Sequence, residues 1–561
     1  MRRAGLERTV GSLAVALVAC NPPGQDDGTS LSGSGETLTT STGPTTNDSD
    51  PSSTTAGSAT GTSGVDSTSA DEGDTDLPKL DVGNFGDDVP RLPPQCTVGD
   101  GELDAVGPCD DQAPPDSFQP DVQWSFPGVG AQTQCLTTPL VANLTDDNGD
   151  GAIDLCDIPD VVTVIGVGGE TGPGNIVVLD GETGALHFMI PQAVQLGATP
   201  ALGDIDGDGL VEIVTVTPVA AGQNLVAFEH DGTAKPFGPA NWPQSQVGAV
   251  ALADLDNDGD VEVIAGSNVF DHTGAPIFSA PFDGLYSAST AADLDGDGDL
   301  EVILGHAAYH HDGSPYYVNA QLQADTSSIV PYPQVANLDD DPQPEVLVAS
   351  NYGIWLLEHD GTVAWSDFSP TGEGSDWNRP VAIHDFDGDN ESELALSAAA
   401  HFGVYEADQG LVFVANTTDS SGQAGGTAFD FLGSGVAQAI YADENTNWVY
   451  DVDGTVLMST PRTSFTWIEY PTVADIDNDG SAEILVGAVG SGFAVQAIRD
   501  AQDRWIPARR IWNQHTYHVT NVREDGTIPQ FEPPHWESLN TFRTQAQVGA
   551  GGGVCKPDPA G

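Results

Sequence analysis

An acidic loop of nine residues recurs along this chain, and each copy runs straight into a short apolar strand. One copy reads Asp204-Ile-Asp206-Gly-Asp208-Gly209-Leu210-Val-Glu212, followed by Ile-Val-Thr-Val. The spacing returns at Asp254, Asp256, Asp258, Asp260 and Glu262, at Asp293, Asp295, Asp297, Asp299 and Glu301, and at Asp475, Asp477, Asp479, Ser481 and Glu483. Acids hold positions 1, 3, 5 and 9, and glycine holds position 6. Alternate side chains of an extended turn point to one side, so the first three carboxylates converge. Glycine permits the sharp bend that follows. With the backbone carbonyl of position 7, this is the oxygen-rich shell that calcium takes.

The loops keep phase. Equivalent positions are Asn143, Asp204, Asp254, Asp293, Asn337, Asp385, Asp430 and Asp475. Most steps fall near the period of about 40–50 residues expected of a propeller or similar array. A small-residue strand such as Thr199-Pro-Ala-Leu-Gly leads into the loop, and Glu212-Ile-Val-Thr-Val leaves it. A third strand such as Asn224-Leu-Val-Ala-Phe-Glu ends near an Asp-Gly or Thr-Gly step, a hairpin signal. A fourth follows, as in Thr362-Val-Ala-Trp-Ser. Four antiparallel strands per period make a propeller blade. The predicted fold class is therefore an all-β β-propeller over 121–500, with eight blades and seven as the alternative. Asp121-Val-Gln-Trp124-Ser-Phe126 reads as a fourth strand with no three before it, and the last repeat lacks a fourth. Pairing the two would close the ring and remove two sheet edges.

These repeats resemble FG-GAP (VCBS-type) repeats, found in integrin α-subunit propellers and many bacterial surface proteins, over roughly residues 130–500. The resemblance implies several structural Ca2+ ions. One set is Asp204, Asp206, Asp208 and Glu212 with the Leu210 carbonyl, and the sets beginning at Asp254, Asp293 and Asp475 follow it. Asp385, Asp387, Asp389 and Glu393 keep four acids, with Asn390 in the glycine position. Asn337, Asp339, Asp341 and Glu345 carry Pro342 there. Around Asp430 the acids are gone, and no calcium is expected. In the first repeat Asp146, Asn148, Asp150, Ala152, Asp154 and Asp157 fit a twelve-residue loop that resembles an EF-hand or dockerin loop, without evident flanking helices. Asp160 then takes the strand-phase place of Glu212.

Charge narrows the partners. The formal net charge is −69, from 15 basic and 84 acidic residues. Nucleic-acid binding needs Lys and Arg to neutralise phosphate, and an anionic membrane surface repels such a chain. A compact state with this charge repels itself unless cations bind. No nucleic-acid partner is expected, and the chain reads as a monomer.

Residues 1–20 read as an export signal: Arg2, Arg3 and Arg8, then an apolar run to Ala19. The run ends Leu17-Val18-Ala19-Cys20, which resembles a bacterial lipobox. The resemblance implies acylation of Cys20 and anchoring in outer-membrane lipid, or secretion if Cys20 stays unmodified. Residues 21–88 are Ser, Thr, Gly and Asp with almost no large apolar residue, too polar to bury a core. They read as a flexible tether, followed by a Cys-containing lead-in over 89–120. An exported chain favours disulfides. Cys135 and Cys156 flank the first loop and are the expected pair. Cys96 and Cys109 pair locally, or one of them joins Cys555.

The resemblance puts the loops that enter each first strand on the ring face opposite the acidic loops. Trp242, Tyr286, Tyr332, Trp377 with Arg379, and Trp467 with Tyr470 lie there in sequence. Such aromatics suit sugars or peptide side chains, and packing between blades is the competing role. Residues 501–561 are unlike the repeats. They concentrate scarce basic residues with aromatics from Trp505 to His518, either as a cap against the acidic propeller or as a pocket. No GxSxG, HExxH or P-loop pattern appears in the folded part. Two classes follow: a calcium-stabilised surface binding or adhesion module for a glycan or protein, and a polysaccharide lyase using the Arg509–His518 cluster.

Overall fold

The structure is a computed structural model. It describes residues 95–557 apart from 100, 106, 115, 239–246, 282–285, 326–331, 351–352, 371–378, 421–422, 491 and 550. The export signal, Cys20, the tether, Trp242 and Trp377 lie outside the described residues.

Eight antiparallel sheets follow one another in sequence and form the blades of a β-propeller. The first contains Leu140–Ala142, Asp160–Gly166, Pro173–Asp180 and Leu186–Met189. Its innermost strand is split, because Gln134–Cys135 also pairs with Asp160–Gly166. The second runs Ala201–Gly203, Glu212–Val216, Leu225–Phe228 and Ala234–Lys235. Blades three to seven begin at Val250–Ala253, Thr290–Ala292, Tyr332–Ala336, Ala382–His384 and Gly426–Phe429. The eighth takes Thr472–Ala474, Glu483–Gly487 and Val495–Asp500 from the end of the repeats, and its outer strand is Pro120–Phe126. The register runs from Pro120 opposite Asp500 to Phe126 opposite Val495. The ring closes as the orphan strand predicts.

Burial explains the composition of each strand. Inner strands are covered on both faces by neighbouring blades, so Val162, Val214, Val263 and Leu347 are wholly buried. Outer strands meet solvent, and Leu411–Asn416 alternates in burial. Small residues crowd the axis: a Cβ on Gly203 would stand 2.9 Å from both Ile528 and Leu252. The hairpin glycines have a second use. Gly232, Gly274, Gly313, Gly361 and Gly454 adopt positive φ, and each also lies flat beneath an aromatic of the preceding blade's outer limb: Phe188, Phe237, Phe278, Tyr317 and Phe413. Trp124 does the same to Gly184 of the first blade, where a Cβ would approach to 2.5 Å. Its indole N–H donates to the Gly181 carbonyl at 2.6 Å. The strand that completes the last blade is thus locked onto the first by the contact that joins other neighbours.

The C-terminal segment fills the axis. Trp512 bridges Val141 of blade one, the Asn513 carbonyl accepts from Leu202 of blade two, and Gln514 accepts from Leu252 of blade three. His535 lies against the Val335 carbonyl of blade five, Phe542 pairs with Ile383 of blade six, and the Arg543 carbonyl accepts from Thr427 of blade seven. Gln545 donates to Val473 of blade eight. This is the cap reading of Arg509–His518, carried further: the segment is a plug. Arg509 is buried, and its guanidinium donates to Glu102, Tyr517, Val519 and Val522.

The expected Cys135–Cys156 pair is not formed. Cys156 bonds Cys96, Cys109 bonds Cys555, and Cys135 is a buried free thiol. Cys135 pairs with Ile165, near the far end of the Asp160–Gly166 strand, whereas Cys156 precedes its start. A strand of that length spans about 20 Å, well beyond the roughly 7 Å between Cα atoms that a disulfide tolerates. Cys135 instead contacts the Thr163 hydroxyl at 3.1 Å.

Trp124→Ala removes the indole that joins the two ends of the ring. It should destabilise the protein by about 3–5 kcal/mol, read as a lower urea midpoint. Deleting residues 118–128 should abolish a cooperative transition.

Candidate metal centres

The acidic loop of blade two is built around three hydrogen-bonded carboxylates, at positions 1, 5 and 9. The position 1 side chain caps the turn: Asp204 accepts from the backbone N–H groups of Gly207 at 2.7 Å and Gly209 at 3.0 Å. Asp293, Asp385 and Asp475 repeat this pair of bonds, and Asp254 keeps the one from Gly259. The position 5 side chain closes a second turn, as Leu210 donates to Asp208 at 2.9 Å. The position 9 glutamate is buried at the start of the second strand, and one oxygen accepts the N–H of position 2. The pairs are Ile205 to Glu212, Leu255 to Glu262, Leu294 to Glu301, Leu338 to Glu345, Phe386 to Glu393 and Ile476 to Glu483. Asp160 does this for Leu144 in the first blade, as its strand phase predicts.

The other glutamate oxygen is the chemically telling one. In Glu345, Glu393 and Glu483 it is buried without a hydrogen-bond partner. Burial lifts these acids: Glu262 and Glu345 to about 8, Glu393 to about 9, and Glu483 well above the usual carboxylate range. The carboxylates of their own loops add to the rise. In the sixth blade one carboxylate oxygen from each of Asp385, Asp387, Asp389 and Glu393 lies within 4.8 Å of the others. A hard cation with oxygen ligands fits this donor set.

Blades that break the pattern show what the glutamate requires. In blade two Lys235 reaches in from the outer strand, with its ammonium 2.6 Å from Asp206, 3.3 Å from Glu212 and 3.2 Å from Glu229. In blade four His310 lies 2.8 Å from Glu301. His187 lies 3.4 Å from Asp160 in blade one. Blade seven replaces the acid by Gln438, whose amide oxygen accepts the Phe431 N–H at 3.0 Å with no charge to balance. In blade five Pro342 has no N–H for position 1, and the Asn337 amide donates to the Asp341 carbonyl instead. Asn390 takes the glycine bend at φ 71°. In the first blade Asp146 caps its loop, and Asp157 accepts from Asp147, Asn148 and Asp154.

Sequence reasoning missed one contributor. The acid just before the hairpin turn comes back over the loop: Glu229 meets Lys235, while Glu358 and Glu406 feel the carboxylates of Asp339 with Asp341 and of Asp387 with Asp389. The recurrence of Glu-His-Asp-Gly at 229–232 and 358–361 is the signal that could have found it. Between blades five to seven and the plug a cleft of about 610 Å³ opens, walled by Asp339, Asp385, Glu406, Asp408 and Asp430. Its charge favours cations.

The predicted aromatics of the opposite face do not form a continuous exposed ring. Tyr332 and Tyr470 are buried, and the Tyr470 hydroxyl donates to the His515 carbonyl. Arg379 is buried on Asp419. These three pack inside rather than face solvent. Tyr286 and Trp467 are half-buried, meet edge to face at 4.3 Å, and are tied across the ring by the Trp467 indole N–H donating to Gly197. The Arg509–His518 cluster lies within the plug, with His515 buried and held near 3 by burial and by Arg543.

The FG-GAP-like repeat family matches residues 204–265, from the second acidic loop into the third blade. No curated protein matches this chain. The biofilm matrix protein Bap1 of V. cholerae superposes with a TM-score of 0.66 at 20% identity, over 78% of this chain and 100% of that one. The exotype rhamnogalacturonan lyase YesX aligns at a TM-score of 0.48 and 15% identity, over 80% and 83%. The Bacillus licheniformis rhamnogalacturonan lyase PL11 aligns at 0.46 and 17%, also over 80% and 83%. The likeness to Bap1 is one of fold, and the chain is an eight-bladed β-propeller. The FG-GAP-like repeat match falls on its second and third blades.

In metal-free buffer, the raised glutamates set the sign of the pH dependence. They hold protons in the folded state that the unfolded chain releases above about pH 4.5, so stability should fall as pH rises towards about 9. Glu393→Gln should flatten that slope in thermal melts recorded across this range, since glutamine serves the same bond at position 438.

Proposed function

We propose that this chain is a calcium-stabilised binding module of an extracytoplasmic surface. The acylated Cys20 anchors it in outer-membrane lipid, the tether of residues 21–88 carries it outward, and the propeller meets a glycan or protein. Two disulfides suit an oxidising compartment, and no helix among the described residues is long and apolar enough to cross a membrane.

The observation that carries the calcium reading is the buried, unpartnered second oxygen of Glu345, Glu393 and Glu483. Blades six and eight, which pair that oxygen with an unbroken acidic loop, hold the ion best in this reading, through Asp385, Asp387, Asp389 and Glu393 and through Asp475, Asp477, Asp479 and Glu483; blade three follows through Asp254, Asp256, Asp258 and Glu262, where the unpartnered buried oxygen is Asp254 Oδ1. Bound there, calcium neutralises carboxylates that otherwise repel and adds its binding energy to the folded state. Blade two needs it least, because Lys235 already neutralises its loop, and blade seven does without. The binding reading is supported by a filled axis, which leaves rim and face as the contact surfaces, and by the half-buried Tyr286–Trp467 pair. Bap1, of the same fold, is a biofilm matrix protein.

Removing Ca2+ with EGTA should lower the melting temperature by more than about 10 °C, since each kcal/mol shifts a domain this large by only a few degrees. An unchanged melt would sink the calcium reading. The binding reading is tested on glycan and protein arrays in Ca2+, with Trp467→Ala as the control. Ligands bound by the wild type and lost in the variant support it. A folded, calcium-loaded protein that binds nothing refutes it.

A further inference from the structure

The plug holds a second kind of metal-ligating group, apart from the acidic loops. His518, Glu532 and His535 each place one ligand-capable atom within 4.8 Å of the others. Both imidazoles are oriented from behind by main-chain carbonyls: His518 Nδ1 lies 3.1 Å from the Thr516 oxygen, and His535 Nε2 lies 2.8 Å from the Val335 oxygen. The Val335 contact places the His535 ring N–H on Nε2 and leaves His535 Nδ1 as a lone pair. His518 Nε2 shares a proton with the Glu532 carboxylate, a proton that a metal ion bound there displaces. His518 Nε2 lies 2.6 Å from Glu532. His535 Nδ1 is buried with no hydrogen-bond partner, in a residue only 1% exposed. The Thr520 hydroxyl donates to Glu532 at 3.0 Å, and Phe542 stacks on His518 at 5.3 Å.

A histidine whose far nitrogen is fixed by a carbonyl is the usual arrangement behind a metal ligand. Two imidazoles and one carboxylate are a donor set for zinc, which takes nitrogen at roughly 2.0–2.1 Å and leaves a fourth position for water. Calcium prefers six or more oxygens and has no use for two imidazoles. We propose that His518 Nε2, His535 Nδ1 and the Glu532 carboxylate bind one Zn2+. The ion joins the two limbs of the plug, residues 518–520 and 532–535, and fixes them to the blade five strand that carries Val335. It fills the place that the unpartnered nitrogen leaves open. This assignment does not depend on the calcium reading, and its test is run with the acidic loops already saturated.

Metal-stripped full-length protein in excess Ca2+ is titrated with Zn2+ by calorimetry, and with Co2+ as a visible probe. The expected result is about one Zn2+ per chain, with Co2+ giving the intense visible bands of a four-coordinate, nitrogen-ligated ion. His518→Ala and His535→Ala should each abolish both signals while calcium-dependent melting persists. Uptake of Zn2+ at the same stoichiometry in both variants would place the ion elsewhere and overturn the proposal. So would a wild type that takes up none. Should the variants fold poorly, the wild-type Co2+ spectrum decides alone: the absence of four-coordinate bands refutes the site.

Discussion

A ring of eight blades encloses a hole at its axis that no blade can fill from its own innermost strand. Those strands are already made of small residues so that they can crowd together, and shrinking them further widens the gap. An apolar void forfeits packing contacts on every wall. This chain answers with a separate segment. Residues after Asp500 leave the last blade and thread the axis, bonding in turn to the main chain of seven different blades. Five of the chain's twelve arginines lie there. Arg509 is paired with Glu102 from the lead-in, and Arg510 with Glu524. Breaking a buried pair of this kind costs about 3–5 kcal/mol, because the charge left behind has nowhere to go. Axial filling, ring closure and placement of the cationic side chains are one arrangement.

The acidic loops between the two innermost strands have a different problem, and a strongly acidic chain makes it acute. Each acidic loop must turn sharply between two buried strands, and a carboxylate accepts the N–H that the turn leaves over. Burying that carboxylate leaves its second oxygen without a partner. The blades meet this in different ways: an ammonium in blade two, an imidazole in blade four, a neutral amide in blade seven. Blades five, six and eight have no such group on the second oxygen. The loops are therefore not equivalent copies of one site, even where, as at Asp204, Asp254, Asp293 and Asp475, they share the acids at positions 1, 3, 5 and 9 and the glycine at 6.

That difference marks how far the sequence could be read. The phase of Asp204 and its copies, the Asp-Gly hairpins and the orphan strand at Trp124 revealed the blade count and the closure, because periodic hydrogen bonding leaves a periodic sequence. The contribution of Lys235 to the Asp204 loop was invisible, since it arrives from a strand 23 residues beyond Glu212 and no other blade repeats it. The aromatic-on-glycine contact between blades also escaped notice: the glycine reads as a turn residue and the aromatic as ordinary strand. Cys109–Cys555 is among the pairings the sequence leaves open, whereas Cys135–Cys156 fails because nearness along the chain to one loop is not nearness in space: Cys135 and Cys156 lie towards opposite ends of a strand. The burial of Tyr332 and Tyr470 follows from the plug, which has no repeat to announce it, and that of Arg379 from its pairing with Asp419 and Tyr441.

Both ends of the folded chain are needed for the last step of assembly. Pro120–Phe126 has no partner until Val495–Asp500 exists, and the axis stays hollow until the residues that follow have arrived. The Cys109–Cys555 bond then ties the lead-in to the end of the plug. Synthesis runs from the other terminus, so nearly the whole chain is made before the ring can shut. During that interval seven blades' worth of strand edges stand open. The same delay that exposes them keeps the polypeptide threadable until the Cys109–Cys555 bond can close over the finished ring.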